Sequence, residues 1–445
     1  MRIRSTGGDR HPSMVSGLAA ARRTDMDPKP QTRREDIQPT GRRRISIALT
    51  DDNAIEYMKY YIIAGEASGD LHGSNLMKGL YAEDPEADIR FWGGALMNAV
   101  FKANRKGEGL VKDYAEGAVI GFSQIILHAG AFLRRFRECQ DDIVAFNPDV
   151  VILIDYPGFN FRVAEFAHKK GYKVFYYIAP KVWASRESRV KKLKAFVDRL
   201  FIVFPFEKEY FDRKGVEYVY LGNPLVDAID NSLSAGESRE EFMHGAGLED
   251  GPYIAILAGS RKGEVSSMMP VCAAFADILR KRDAYRNFRF IVAGAPSRSD
   301  EDYAPYLKGR EGYMKVVYGR THSVIRHAAA AVVNSGTASL ETCLTGTPQV
   351  VAYSSSPFNF NIARHIIKID MISLGNLILG RKAFKELIQY HFTPENLESE
   401  VRRLIEDGEY REKMLGDYAE IRSLLGGSGA SAKVAKAMIQ ELEEQ

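Results

Sequence analysis

The segment Val333 to Glu341 has the residue types and spacing of a turn that binds a nucleotide. Ser335-Gly336-Thr337 follows an apolar run directly and opens a helical pattern, and the free N–H groups at a helix N-terminus bind phosphate well. Glu341 lies about one helical turn further on, where its carboxylate could accept hydrogen bonds from ribose hydroxyls. The alternative is an ordinary helix N-cap, with Glu341 as a plain helix residue.

A second turn of this kind contains Gly259, Ser260 and Arg261, which follow the apolar run 253–258. The forked guanidinium of Arg261 suits a diphosphate, although a surface arginine in a turn explains it equally well. Glu264 either belongs to the same site or is an acidic residue at a helix start. Two such turns predict that the second half of the chain binds a nucleotide sugar.

A candidate base ends the apolar run 150–154 in the first half of the chain. Asp155 follows that run directly, and a carboxylate there could accept the proton of an incoming hydroxyl group. Taken alone, an Asp that opens the Pro157-Gly158 turn is the commoner explanation.

The loop 64–70, Ala-Gly-Glu-Ala-Ser-Gly-Asp, consists mainly of small residues that would let a ligand approach the main chain at a helix start. It matches neither the dinucleotide fingerprint nor the phosphate loop of nucleotide hydrolases. A tight turn with Asp70 as a helix cap is the alternative.

All four turns should lie at the carboxyl ends of strands, because open parallel sheets bind ligands there. From residue 60 onward, short apolar runs alternate with helical patterns, which is typical of parallel sheets covered by helices. A polar stretch at 231–251 interrupts the alternation. We predict an α/β chain whose two Rossmann-like doubly wound domains, residues 58–230 and 231–353, face a central cleft. A helical segment, residues 354–445, follows and could pack back on the first domain.

Residues 1–57 are rich in Arg, Asp, Thr, Gly and Pro and lack helical or strand periodicity, so we expect them to be disordered. Met58 and Lys59 directly precede the first predicted strand. An alternative is therefore that translation starts at Met58 and that the preceding segment is spurious.

Composition excludes several classes of protein. The formal net charge of +3 argues against a dedicated nucleic-acid binder. Cys139, Cys272 and Cys343 lie far apart without metal-ligand spacing, which favours a reducing cytosol. The sequence contains no run of eighteen or more apolar residues and so predicts no transmembrane helix. We therefore expect a soluble protein or one that lies on a membrane surface.

A membrane surface would suit a stripe of apolar residues with helical spacing that lies beside basic residues. The apolar positions are Phe122, Ile125, Ile126, Ala129, Phe132, Leu133 and Phe136, and the basic ones are Arg134, Arg135 and Arg137. A second group of Lys and Arg residues lies at 181–194. Such a stripe is most often a core face, and this alternative remains open.

In their order and spacing, these motifs resemble those of lipid-A-disaccharide synthase, an inverting glycosyltransferase of the GT-B fold. The resemblance covers the chain from residue 58 to the C-terminus. It rests on residues 64–70, 154–159, Pro180-Lys181-Val182-Trp183-Ala184, Pro205-Phe206-Glu207, Gly222-Asn223-Pro224-Leu225, 259–261, 335–337 and 340–341.

The resemblance implies transfer of 2,3-diacylglucosamine from UDP-2,3-diacylglucosamine to 2,3-diacylglucosamine 1-phosphate, with release of UDP. The setting it implies is the cytoplasmic face of a Gram-negative inner membrane. Asp155 would be the base for the acceptor 6-hydroxyl, with Glu66 beside it. Acceptor residues would be Ser68, Gly69, Asp70 and Asn160, and nucleotide residues Asn223, Gly259, Ser260, Arg261, Glu264, Ser335, Gly336, Thr337, Glu341 and Asn376.

No metal or other cofactor is expected, because Arg261 and helix N–H groups could stabilise the departing UDP. A homodimer is left open. The chain departs from the family pattern at Ala258 for Pro, Asn223 for His, Gly375 for Pro and Ser185 for Trp. The change at 223 matters most, because an amide can form hydrogen bonds but cannot titrate.

Two other functions fit part of the pattern. A nucleotide-sugar epimerase can share the two-domain fold and a similar C-terminal loop, but it would not need an apolar surface that faces lipid. A non-catalytic relative that binds lipid or nucleotide would need neither Asp155 nor Glu66, and both are present.

Overall fold

The computed structural model describes residues 46–50, 53–114, 129–183, 187–354 and 371–444. The strands β1 (Ser46–Thr50) and β2 (Asn53–Tyr57) form an antiparallel pair, in which Ser46 pairs with Tyr57. Residues 46–57 therefore contain regular structure, where the sequence pattern predicted none. Residues 43–445 form one compact unit, and the description below concerns this unit alone.

A seven-stranded parallel sheet forms the centre of the first lobe. Its strands are β3 (Lys59–Ala64), β4 (Asp88–Gly93), β5 (Leu110–Asp113), β6 (Val150–Ile154), β7 (Lys173–Tyr177), β8 (Arg199–Ile202) and β9 (Val219–Tyr220), in the order β5-β4-β3-β6-β7-β8-β9. Every residue of β6 is apolar and buried, as expected for a central strand covered on both faces.

The described residues of the first lobe form seven α-helices. They are α1 (Ala67–Glu83), α2 (Ala95–Asn104), α3 (Ala129–Phe146), α4 (Pro157–Lys169), α5 (Val190–Phe196), α6 (Pro205–Lys214) and α7 (Pro224–Asp230). Three of them begin with proline, whose fixed φ and missing N–H suit the first helical position. The expected Phe122–Phe136 helix is described only as part of α3, because residues 115–128 lie outside the described residues.

A six-stranded parallel sheet forms the centre of the second lobe. Its strands are β10 (Tyr253–Leu257), β11 (Arg289–Gly294), β12 (Met314–Tyr318), β13 (Ala330–Asn334), β14 (Gln349–Tyr353) and β15 (Glu386–Ile388), in the order β12-β11-β10-β13-β14-β15. The two parallel sheets confirm the predicted α/β class. The edge strand β15 comes from the segment predicted to be helical, so this sheet extends beyond residue 353.

Helices cover the second sheet and complete the chain. The second lobe has α8 (Arg239–Gly245), α9 (Lys262–Arg280), α10 (Asp300–Leu307), α11 (Thr321–Arg326), α12 (Thr337–Thr345) and α13 (Leu374–Leu379), and the C-terminal helices are α14 (Pro394–Glu406), α15 (Gly408–Leu425) and α16 (Ala430–Glu443). In the described part of the chain, no helix combines the length and apolar character needed to cross a membrane.

The last helix returns to the first lobe and packs on α1. The two helices approach so closely that a Cβ atom on Gly79 would lie 2.8 Å from the Cβ atom of Ala435. Asp227 of α7 accepts hydrogen bonds from the main chain of Gly429 and Ser431 at the start of α16. Because α14 packs on α9 of the second lobe, the C-terminal segment contacts both lobes.

Candidate active site

The carboxyl ends of the two sheets meet at a cavity of about 60 Å³, here called the interlobe cavity. It is lined by Ser68, Gly69, His72, Asp155, Ile178, Ala179, Lys181, Val203, Phe204, Asn223, Pro224 and Leu225 of the first lobe and by Thr337, Leu340 and Leu374. Asp155 and Thr337, which the sequence assigned to opposite substrates, thus face one space. This space is smaller than a typical ligand site of about 300–1,000 Å³.

The main chain at Asp155 is held in an uncommon conformation. Asp155 and Tyr156 have φ angles of 42° and 46°, in the left-handed region that non-glycine residues rarely adopt. The carbonyl oxygen of Asp155 accepts hydrogen bonds from Tyr176 Oη at 2.6 Å and from Asn160 Nδ2 at 2.9 Å. Buried side chains thus fix the main chain and leave the carboxylate at the cavity. Left-handed residues of this kind cluster at functional sites.

The same feature recurs on the neighbouring strand. Ile178, directly after β7, has a φ of 63°, although it is β-branched. Its main-chain N–H donates to the carbonyl of Phe201, and its side chain lines the interlobe cavity. Two adjacent strands of the first sheet therefore end in strained turns at the same point.

The electrostatic surroundings of Asp155 suit a base. Partial burial raises the pKa of the Asp155 carboxyl to about 6, the nearby charge of Lys181 opposes this shift, and Glu66 adds to it. A carboxylate with such a pKa is ionised at neutral pH and still basic enough to accept a proton from a hydroxyl during bond formation.

In the loop before α1, some of the predicted site residues are exposed and others are buried. Glu66 and Ser68 are exposed at the cleft, and Gly65 is required because a Cβ atom there would lie 2.3 Å from the Tyr156 ring. Asp70 is instead 2% exposed, and its carboxylate accepts hydrogen bonds from the main-chain N–H groups of Gly94, Leu96 and Met97. Asp70 therefore caps α2 and does not face the cleft as an acceptor residue would.

Asn160 and Asn376 also have structural partners. Asn160 is fully buried and donates to the carbonyl oxygens of Ile154 and Asp155. Asn376 is fully buried, and its amide bonds to the main chain of Ala383 and Phe384 and to Glu386 Oε1 at 2.9 Å. Asn160 thus supports the Asp155 turn and Asn376 supports the turn before β15, and neither side chain faces the cleft directly.

Asn223 lines the cavity and also has hydrogen-bond partners within the protein. Its Oδ1 accepts from the Leu225 N–H and caps α7, and its Nδ2 donates to the carbonyl of Val203. The residue lines the interlobe cavity, but it is 3% exposed and both polar atoms have partners. The asparagine that replaces the family histidine therefore serves mainly as a helix cap.

In the second lobe, residues of the loop 259–264 form hydrogen bonds and an ion pair with one another. Glu264 Oε2 accepts from the main-chain N–H groups of Ser260 and Arg261, and Glu264 Oε1 lies 2.9 Å from Arg261 Nη1. Gly259 has a φ of 98°, and a Cβ atom there would lie 2.5 Å from Glu264 Oε2. Arg261 is largely exposed, so its guanidinium can exchange this partner for a phosphate group.

The turn 335–337 leads into α12 beside this loop, since β10 and β13 are adjacent strands. Ser335 is anchored by its N–H to the carbonyl of Ala352. Gly336 precedes α12, and Thr337 begins it at the interlobe cavity. Glu341 lies on the same helix, and its Oε2 is 3.4 Å from His322 Nε2. The arrangement presents the N–H groups of a helix start to a ligand, with Glu341 one turn further along α12 and His322 of α11 beside it.

The sequence assigned no role in the cleft to three polar residues of this region: His72, Glu207, and Lys181, which it placed in the basic group at 181–194. Lys181 and His72 line the interlobe cavity. Glu207 is buried, accepts from the N–H groups of Val203 and Phe204 and from Trp183 Nε1, and has its pKa raised to about 7 by burial. Lys181 and Glu207 stood in motifs that carried the family resemblance, but the signal for His72 was only its place after the loop 64–70.

Among the described residues, no group of three or more His, Cys, Asp and Glu side chains is placed to hold a metal ion. The three cysteines are buried and free. Ser185, where the family often has Trp, lies outside the described residues.

Comparisons with known proteins agree with the geometry. A family model described as lipid-A-disaccharide synthetase matches residues 60–438. A lipid-A-disaccharide synthase from Geobacter metallireducens is 37% identical over 382 residues, which cover 86% of this chain and 96% of that protein. These matches confirm the resemblance that the motifs indicated.

Solved structures support the fold. A Methanocaldococcus jannaschii UDP-GlcNAc 2-epimerase in complex with UDP-GlcNAc and UDP has a TM-score of 0.60 at 12% identity, over 86% of this chain and 100% of that one. The calicheamicin glycosyltransferase CalG4 has a TM-score of 0.52 at 16% identity, over 88% and 99%. At such identities the likeness shows the two-domain fold alone and does not favour an epimerase.

Proposed function

The chain belongs to the lipid-A-disaccharide synthase family, and we propose on that premise how its two lobes divide the reaction. It is a glycosyltransferase of lipid A disaccharide synthesis. In our proposal, UDP-2,3-diacylglucosamine donates its sugar to 2,3-diacylglucosamine 1-phosphate. The observation that carries the proposal is the presence of Asp155 and the start of α12 in one cavity.

Asp155 is the proposed base. The 6-hydroxyl oxygen of the acceptor attacks the anomeric carbon, the bond from that carbon to the UDP oxygen breaks, and the electron pair leaves on the diphosphate. Asp155 takes the hydroxyl proton, which its pKa of about 6 permits at neutral pH. A single displacement of this kind inverts the anomeric centre and yields the β-1',6 linkage. Glu66, exposed in the loop beside Asp155, keeps the pKa of Asp155 raised and lies on the acceptor side.

The second lobe is the proposed site for UDP. Gly336 and Thr337 present main-chain N–H groups at the start of α12 to the diphosphate, Ser335 holds the turn through its bond to Ala352, and Glu341 accepts from the ribose. Arg261 would leave Glu264 and pair with the diphosphate as charge develops on the leaving group, because bidentate pairs with phosphate are strong. Glu264 would then keep the N–H groups of Ser260 and Arg261 in place.

Four predicted ligand residues support the site indirectly in this proposal. Asp70 and Asn160 hold the acceptor loops, and Asn223 and Asn376 hold the turns near the donor. Ser68 and Gly69 remain proposed acceptor contacts, because both line the interlobe cavity.

Product formation tests the proposal. Purified protein is incubated with both diacylated substrates, and mass spectrometry should detect the disaccharide 1-phosphate and UDP in equal amounts. Release of UDP without disaccharide, or conversion of the UDP sugar to its epimer, would contradict the transferase proposal. Because Arg261 and helix N–H groups stabilise the leaving group, EDTA should leave the rate unchanged. A loss that magnesium restores would refute metal independence.

Membrane contact is a further proposal, made for the inner face of the inner membrane because the substrates carry acyl chains. The described part of the apolar stripe is divided between two environments. Phe132 and Phe136 pack on Phe159, whereas Leu133 is 54% exposed next to the exposed Arg134. Phe122, Ile125 and Ile126 lie outside the described residues.

Vesicle flotation with anionic and neutral lipids tests the membrane proposal. Binding that needs anionic lipid supports it, and recovery of all protein in the lipid-free fraction contradicts it. Sedimentation of the same sample decides between the monomer and the homodimer.

A further inference from the structure

His72 is a polar side chain of the cleft that the reaction described above does not use. It lies on α1 in the second turn, is 8% exposed, and lines the interlobe cavity. Its Nδ1 has no hydrogen-bond partner. Native structures rarely leave a buried polar atom unpaired, because its lost hydration is not replaced. The missing partner must then come from what enters the cavity.

No described group that lines the cavity is paired with His72 Nδ1 in this structure. Asn223 lines the same cavity but uses both of its amide atoms on the main chain. Leu225 and Leu340 are apolar. Thr337 lies on the opposite side, where α12 begins. His72 therefore shares the cavity with the proposed base and with the start of α12, and its Nδ1 is unpaired.

The charges around His72 come from both lobes. Burial lowers the pKa of His72 to about 4, and the negative charges of Glu341 on α12 and Asp227 on α7 act in the opposite direction. Both carboxylates are engaged elsewhere, Asp227 with the main chain of α16 and Glu341 with His322. His72 is thus a neutral imidazole at physiological pH, with one N–H donor and one lone pair.

We propose, on the basis of the function proposed above, that His72 donates a hydrogen bond to the diphosphate of the UDP sugar where it passes from α12 toward Asp155. An anionic oxygen is the strongest acceptor that this position will meet, because N–H groups of α12 already draw the diphosphate there. In this cavity α1 supplies a histidine, and position 223 supplies an asparagine.

Three variants of His72 test the contact. His72→Ala removes the donor, His72→Phe removes it but keeps a ring, and His72→Gln keeps an N–H group at similar reach. His244→Ala, an exposed histidine on α8, is the matched control. For each, UDP Kd is measured by calorimetry, donor and acceptor KM by product assay, and folding by thermal melting.

We expect the Ala and Phe variants to raise UDP Kd and donor KM about tenfold, because a hydrogen bond to a charged group is lost. Acceptor KM should change less than twofold, His72→Gln should recover most of the loss, and His244→Ala should match wild type. If either folded Ala or Phe variant binds UDP within twofold of wild type, the proposal is overturned and the cavity holds only water. If neither folds, a Gln variant with wild-type Kd supports it, and one with tenfold weaker binding overturns it.

The proposed function fails by a different result. A wild-type protein that makes no disaccharide from both substrates refutes the reaction, whereas UDP calorimetry needs neither acceptor nor turnover. The His72 contact can therefore be judged whether or not the reaction is correct.

Discussion

Two turns at the cleft are held in opposite ways: Asp155–Tyr156, here called the Asp155 turn, and residues 259–264, the Arg261 loop. In the Asp155 turn, buried side chains bond to the main chain and the carboxylate is left for the cavity. In the Arg261 loop, the functional side chain itself is bonded, by Glu264 of the same loop. The first arrangement fixes the Asp155 carboxylate before a substrate binds. In the second, the Arg261 guanidinium can leave Glu264 and pair with a ligand.

The energetics of the two turns differ in the same sense. Each left-handed residue costs about 1–3 kcal/mol, so Asp155 and Tyr156 can persist only where the surroundings determine them. Tyr176 and Asn160 supply that support from the core. The exposed Arg261–Glu264 pair contributes only about 0–1 kcal/mol, so a diphosphate can displace it at little cost. We therefore expect changes in the Asp155 turn to act on turnover and changes in the Arg261 loop to act on UDP binding.

Replacing the base should produce the largest effect. Asp155→Asn keeps the shape of the side chain but cannot accept the hydroxyl proton, so kcat should fall by about 10²–10⁴-fold. UDP Kd, measured by calorimetry, should stay within twofold. Asp141→Asn, an exposed carboxylate on α3, is the control and should match wild type. A kcat within tenfold of wild type would show that the Asp155 turn does not carry the base.

Replacing Arg261 should give the next largest effect. Arg261→Ala should raise UDP Kd and donor KM by about 10–100-fold, because a charge-assisted contact to the diphosphate is lost. Arg286→Ala removes an exposed arginine of the same lobe that also pairs with its own segment, here Asp283, and should change neither constant. If Arg261→Ala lowers kcat alone, then the loop acts in turnover and the contrast between the two turns fails.

The fold could be predicted where local apolar pattern decides the structure. β6 was expected at 150–154 and lies there, because five consecutive buried apolar residues leave no other element of that length. α2 was missed, since its start is capped by Asp70, which is distant in sequence. β15 was also missed, because three residues are too few to show a period and only pairing with β14 makes them a strand.

The candidate site was predictable only in outline. Asp155 could be singled out because a buried strand ends in it, and Thr337 because a glycine turn precedes a helix. Asp70, Asn160 and Asn376 lie in similar loops, but each forms hydrogen bonds to the main chain of a neighbouring segment. No local pattern distinguishes a polar residue that holds a loop from one that the loop presents. The contacts with substrate remain predictions.

The pH dependence of kcat/KM should report the pKa of the Asp155 carboxyl. Because burial raises the pKa of Asp155 to about 6, the base is protonated below that pH and kcat/KM should fall about tenfold for each further pH unit. Lys181 lowers this pKa and Glu66 raises it, so Lys181→Ala should move the acidic limb to higher pH and Glu66→Gln to lower pH. Rates are measured from pH 4.5 to 8. A limb that neither variant moves would assign the titration to another group.

The smallest effect should come from removing the Tyr176 hydroxyl, which bonds to a main-chain carbonyl. Tyr176→Phe removes one of the two donors to the Asp155 carbonyl, which should lower the unfolding free energy by about 1 kcal/mol and kcat by several-fold up to tenfold. Tyr303→Phe is the control, since its buried hydroxyl also bonds to the main chain, at Ala295. It should lose similar stability in urea titrations without loss of kcat. If both variants keep wild-type kcat, the main-chain support of the Asp155 turn contributes to stability alone.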